Sequence, residues 1–233
     1  MADRSRRRTV SLRDGSRVIL RSIVREDKVL LAESFERLSD ESRYRRFFTT
    51  KPGLSSAELD YLVDVDHRDH EAIVAVDPST GEALGVARYV RSRDDGEVAE
   101  VAVTVVDDWQ GRGLGRALLD RLTYRARREG VRYFSALVQN DNWASLGLAA
   151  GAGDPDRCAG TGVVGLVLEI PPKRGIGVRL ARALGAAAAG GLIPAQTVAH
   201  RLTASTGVPS PSIHPEHMRP RARPRSSRSN RMH

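Results

Sequence analysis

Cysteine occurs once in 233 residues, at Cys158. It has no partner for an internal disulfide and no companions for a zinc cluster, so a reducing, cytoplasmic setting is expected. No run of about 18 apolar residues is present, which argues against a membrane-spanning helix and a membrane partner. The basic start, residues 1–8, is not followed by the apolar stretch of a secretory signal. Apolar residues still make up 40% of the chain, enough for one ordinary domain with an appendage.

The formal charge of +8 is unevenly placed. Residues 171–233 carry eleven Arg/Lys and one acid, Glu216, leaving 26 basic and 28 acidic side chains in residues 1–170. The basic character therefore belongs to the tail, which has no aromatic residue between Met218 and Arg231 to stack on bases. Such a segment buries too little surface to offset its ordering entropy. A disordered, basic Pro/Arg/Ser-rich tail is expected over 197–233, with nucleic acid limited to weak contacts there. Before it, residues 173–196 read as a short Ala/Gly-rich helical extension, and residues 1–11 as a basic arm.

Between these ends the periodicity is that of an α+β domain, residues 12–172. Residues 17–24 read as a strand, 25–38 as a helix carrying Val29, Leu30, Ala32 and Phe35, and Ser39 as a cap. The basic, aromatic segment 44–48 follows. Ser55 and Glu58 form a capping box for a helix with Leu59, Leu62 and Val63 on its apolar side. Residues 70–77, 83–91 and 97–106 make an antiparallel meander, turning at 78–82 and 94–96. Leu114, Leu118, Leu122 and Ala126 repeat every four residues in a helix from 114 to 129, with Gly130 as its C-terminal stop. A strand at 133–139, a short helix at 142–150 and a strand at 163–170 complete the domain. A helical crossover of this length makes 97–106 and 133–139 parallel neighbours.

The chemistry concentrates in one turn. A strand ends, Gly111, Gly113 and Gly115 follow at alternating positions, and a helix begins. Glycines let a ligand approach the backbone, and a helix start offers unpaired N–H groups with a partial positive charge. Together they form a cradle for phosphate, with Arg112 and Arg116 as added cations. A nucleotide P-loop is disfavoured because Gly115 is followed by Arg116 and Ala117 rather than Lys and Ser/Thr. A dinucleotide fingerprint would need glycine where Arg116 stands and would open a parallel sheet. Ordinary tight packing of a helix on a strand remains the bland alternative.

Gln110-Gly111-Arg112-Gly113-Leu114-Gly115 resembles, in register, the Gln/Arg-x-x-Gly-x-Gly/Ala motif of the GNAT N-acetyltransferase family. The segments ESRYRRFF at 41–48, VDHRDH at 65–70, GVARY at 85–89 and AEVAVTV at 99–105 are similar to the bacterial protein-lysine branch of that family. The resemblance implies a mixed, mostly antiparallel sheet with a parallel strand pair splayed at the acetyl-CoA site, and helices on both faces. It implies acetyl-CoA as co-substrate, an amine acceptor such as a protein lysine, and no metal. By the same resemblance, the backbone of Val103 and Val105 holds the acetyl and pantetheine arm. Gln110, Gly111, Arg112, Gly113, Leu114, Gly115 and Arg116 hold the pyrophosphate, and Asn142 contacts the cofactor arm.

An amine attacks a thioester only when neutral, and a lysine near pKa 10.4 is about one part in a thousand neutral at pH 7.4. A positioned carboxylate removes the surplus proton. Glu100 is the acid in an otherwise apolar strand, and the residue at its place in the family serves as general base. A solvent-facing glutamate, or one paired with Arg88 or Arg91 across the sheet, is the structural alternative. His67 and His70 with Asp66 and Asp69 resemble a metal set but are too few in kind, so local loop hydrogen bonds are expected. Tyr44, Arg45 and Arg46 line the acceptor groove in such folds, or form a solvated helix face. Residues 142–153 contain no tyrosine to protonate the leaving thiolate; Ser145 is the hydroxyl there.

Overall fold

The computed structural model describes residues 7–47, 51–139, 156–157 and 163–170. Eight strands form one sheet: β1 (Arg7–Ser11), β2 (Arg17–Ser22), β3 (His70–Val76), β4 (Ala83–Arg91), β5 (Val98–Val105), β6 (Tyr133–Gln139), β7 (Asp156–Arg157) and β8 (Val163–Glu169). Their order is β1-β2-β3-β4-β5-β6-β8-β7. Every neighbouring pair is antiparallel except β5 and β6. The helices are α1 (Lys28–Glu36), α2 (Asp40–Phe47), α3 (Ser56–Val63) and α4 (Leu114–Arg128).

Adjacent residues of a strand face opposite ways, and Ala72 and Ile73 of β3 belong to different apolar clusters. Ile73 packs with Leu114, Leu118, Leu122 and Ala126 of α4, whereas Ala72 packs with Leu31 of α1 and Leu59 and Val63 of α3. Helices therefore cover both faces. On the α4 face, a Cβ at Gly85 would lie 2.7 Å from the Thr104 carbonyl and 3.2 Å from Leu118, so only glycine lets helix and strands close up. The end of α4 is a Schellman turn: Gly130 has φ 83°, its N–H donates to the Arg127 carbonyl, and Val131 N–H donates to that of Ala126. Arg125 of α4 reaches Glu71 of β3, which is 0% exposed, at 2.8 Å.

Several sequence expectations are corrected by long-range contacts. Residues 7–11, assigned to the arm, form strand β1 on the sheet edge, in register with β2 from Arg7↔Arg21 to Ser11↔Arg17. Residues 44–47 belong to helix α2, whose start is capped by Ser39 Oγ accepting from Ser42 N–H. In α1 the buried residues are Leu31 and Phe35, while Val29 is exposed. Ser55 and Glu58 do exchange reciprocal bonds at the start of α3. The helix expected at 142–150, the extension at 173–196 and the tail at 197–233 lie outside the described residues.

Candidate active site

Strand β5 is paired with β4 from Arg91↔Ala99 to Gly85↔Val105. On its other side β6 follows it only for Val98↔Tyr133, Ala99↔Phe134 and Glu100↔Ser135. Beyond Ser135, β6 continues with β8 as far as Gln139↔Val163. The two parallel strands part at Glu100, leaving the β5 edge past it, including Val103 and Val105, without β6 pairing. An unpaired edge offers backbone N–H and C=O groups to an extended ligand arm.

Glu100 sits at the point of parting and is only 7% exposed. Register places it on the α1–α3 face with Ala102 and Thr104 of β5 and Val86 and Arg88 of β4. Arg88 and Arg91, the arginines across the sheet, each make bonds of their own. Arg88 donates to His70 Nε2 and the Leu62 carbonyl at 3.1 Å each. Arg91 pairs with Asp69 at 2.7 Å and donates to the Glu129 and Gly96 carbonyls. Burial brings Arg88 down to about 10 and, with the Arg88 charge, brings His70 down to about 4. At neutral pH the pair is thus a guanidinium donating to a neutral imidazole. The same face carries a groove of about 540 Å³, its open side included, lined by Phe35, Phe47, Leu54, Leu62, Arg88 and Thr104 among others. Tyr44 is exposed on α2 beside it; the side chains of Arg45 and Arg46 lie outside the described set.

From Val105 the chain enters a 3₁₀ turn, Asp107–Trp109, then the glycine loop. Gly111 (φ 74°) and Gly113 (φ 92°) adopt the left-handed backbone that glycine accepts without strain. A Cβ at Gly111 would meet nothing within 4 Å, so that side of the loop is open. Ala117 N–H makes the bond back to the Gly113 carbonyl, so Leu114, Gly115 and Arg116 precede the regular helix pattern with their N–H groups at the helix head. The Leu114 side chain is buried in the core, which leaves its backbone as the part that can meet a ligand.

Three of the expected phosphate ligands are otherwise engaged through their side chains. Gln110 Nε2 donates inward to Asp107 at 2.8 Å and to Ser42 Oγ and the Val105 carbonyl at 3.3 Å each, so Gln110 braces the loop. Arg112 lies 4.8 Å over the Trp109 ring and 3.6 Å from Asp14. Arg116 is 3.9 Å from Asp120. Asp107, which lies outside the motif, accepts from Ser39 N–H at 2.6 Å and Ser42 Oγ at 2.5 Å. Burial pushes its carboxyl up, but the bonds from Ser42 and Ser39 outweigh that and hold it below the usual range. The sequence signal for Asp107 is slight, because its partners lie 65 and 68 residues away. Asn142 and Ser145 lie outside the described residues.

The histidine-rich loop is a hydrogen-bonded turn. Asp66 accepts the N–H groups of Arg68, Asp69 and His70, and His67 Nδ1 meets Glu71 at 2.9 Å. Among the described residues no three potential ligands converge on one point.

A splayed parallel pair next to a glycine-rich helix start, on a mixed sheet, defines an acyl-group transferase scaffold. The sequence pattern of the acetyltransferase (GNAT) family matches residues 32–153, and the chain belongs to that family. Acetyltransferase Pat of Mycolicibacterium smegmatis is 34% identical over 163 residues, 70% of this chain and 49% of that one. The chain thus spans about half the length of that relative. Acetyltransferase PA5475 of Pseudomonas aeruginosa is 35% identical over 153 residues, 63% of this chain and 82% of that one. The crystal structure of the GNAT domain of S. lividans PAT is 32% identical with a TM-score of 0.64, covering 72% of this chain and 99% of that one.

Proposed function

We propose that this chain moves the acetyl group of acetyl-CoA directly onto a primary amine, a protein lysine, with Glu100 as general base. The observation that carries the reading is that parallel pairing stops at the residue bearing a buried carboxylate. A thioester lying along the freed edge of β5 is served by that carboxylate directly or through water, with the amine entering from the α1–α3 groove. Glu100 takes one proton from the substrate ammonium, the neutral amine attacks the thioester carbonyl to form the C–N bond, and the C–S bond breaks as the proton left on nitrogen passes to the departing thiolate. The β5 edge at Val105 holds the developing oxyanion by backbone hydrogen bonding. Cys158 lies away from the motif in sequence, which favours direct attack over an acyl-enzyme.

Lysine as acceptor is supported by the likeness of the 41–48, 65–70, 85–89 and 99–105 segments to the protein-lysine branch. The cytoplasmic setting is supported by the single cysteine, and no helix of the described residues is long and apolar enough to cross a membrane. Glu100→Gln tests the base. Turnover should fall about 100-fold or more while calorimetric affinity for acetyl-CoA is kept. Unchanged turnover would remove Glu100 from the chemistry, and wild-type protein that binds acetyl-CoA without turnover would be a cofactor-binding regulator. Labelled acetyl-CoA incubated with the protein and a cell extract should leave label in the protein fraction; label confined to small molecules would refute a protein acceptor.

A further inference from the structure

The turn between β1 and β2 lies against the glycine loop. Leu12 anchors it in the core, and Asp14 shapes it by accepting from Ser16 N–H and Oγ. Arg13 N–H donates to the Arg112 carbonyl at 3.3 Å, across about a hundred residues of sequence. The stem of Arg13 then runs over Gly113. A Cβ there would sit 3.3 Å from Arg13 Cγ, 3.5 Å from Cδ and 3.7 Å from Nε. The bare Cα of Gly113 therefore makes room for a side chain that delivers a guanidinium to the first turn of α4.

Three arginines surround this loop, and two of them have an acid beside them: Asp14 for Arg112 and Asp120 for Arg116. Arg13 is exposed, and among the described residues its guanidinium makes no hydrogen bond or ion pair. A cation held beside helix N–H groups adds to a potential that is already positive, and the arrangement becomes favourable when an anion lies between them. We propose that Arg13 is a cofactor-binding residue whose guanidinium takes a phosphate of coenzyme A at the head of α4. This rests on the acetyl-CoA reading above. The phosphate is the ribose 3′-phosphate or the diphosphate, which share the same chemistry toward a guanidinium.

Calorimetry on the full chain with coenzyme A and 3′-dephospho-coenzyme A tests it, using wild type, Arg13→Gln and Arg13→Lys. Glutamine keeps most of the stem over Gly113 and removes the charge. Arg13→Gln should raise the Kd for coenzyme A about tenfold, and Arg13→Lys should recover most of the loss. If the contact is to the 3′-phosphate, Arg13→Gln and wild type bind the dephospho ligand alike; if it is to the diphosphate, both ligands weaken together. Arg13→Gln binding both ligands as tightly as wild type overturns the proposal, as does a lowered unfolding midpoint with no change in Kd. Wild type failing to bind coenzyme A at all would instead overturn the functional reading.

Discussion

Asp107 holds together three groups from distant parts of the chain: the Ser39 N–H and Ser42 hydroxyl at the start of α2, and the Gln110 amide in the glycine loop. Its carboxylate thereby couples the helix lining the groove to the loop before α4. Asp107→Ala should raise the KM for acetyl-CoA several-fold and change kcat less, since it loosens the cradle without touching Glu100. Steady-state kinetics with varied acetyl-CoA decides this; an unchanged KM would mean that Asp107 does not position the loop. This residue also marks a limit of reading a linear sequence. The motif that begins at Gln110 was legible as a glycine turn entering a helix, and Gly111 and Gly113 do adopt positive φ there. The inward turn of the Gln110 side chain was not, because it depends on Ser42, 68 residues away. Glu100 was legible as an acid in an apolar strand, whereas its place at the end of the β5–β6 pairing came only with the register.

Elements differed in legibility according to how much apolar surface they bury. Helix α4 announces itself by four buried residues at spacing four and a glycine stop, and its observed span differs from expectation by one residue. Strand β4 was read to the residue for the same reason. By contrast β1 is exposed along most of its length and carries two arginines, so no alternation betrays it; backbone pairing with β2 makes it a strand. Helix α2, sequence DESRYRRF, is dominated by charge and held by Ser39 and by Arg43 lying 4.9 Å over Phe35. Leu118 is the residue on which α4 meets the sheet, wholly buried and against Gly85. Leu118→Ala should cost about 3 kcal/mol of folding stability by loss of transfer energy and the cavity left behind. Denaturant unfolding monitored by circular dichroism measures it; a loss under about 1 kcal/mol would show that α4 is not clamped on the sheet as described.

At the scale of the whole molecule, two groups that folding shifts downward predict how stability responds to acid. His70 is half-buried, accepts the Arg88 N–H on Nε2, and is lowered from 6.5 to about 4 by burial and by the Arg88 charge. The unfolded chain therefore takes up this proton before the folded one, so the stability is fully present above about pH 6.5 and is lost as pH falls toward 4. Glu58 follows in a lower window. Burial pushes its carboxyl up, but the bonds from Lys51 and Ser55 bring it down from 4.5 to about 2, so its contribution is held above about 4.5 and lost toward 2. The thermal midpoint should accordingly be level near neutrality and decline in two stages on acidification. His70→Gln, whose side-chain carbonyl also accepts from a guanidinium, has no titrating ring and should abolish the upper stage. That stage is worth about 2 kcal/mol once partial exposure is allowed for, or about 6 °C in a domain of this size. Scanning calorimetry of wild type and variant from pH 8 to about pH 4 reads the difference. Parallel decline in both would show that Arg88 does not face a neutral His70, and that the buried guanidinium beneath the groove is balanced in some other way.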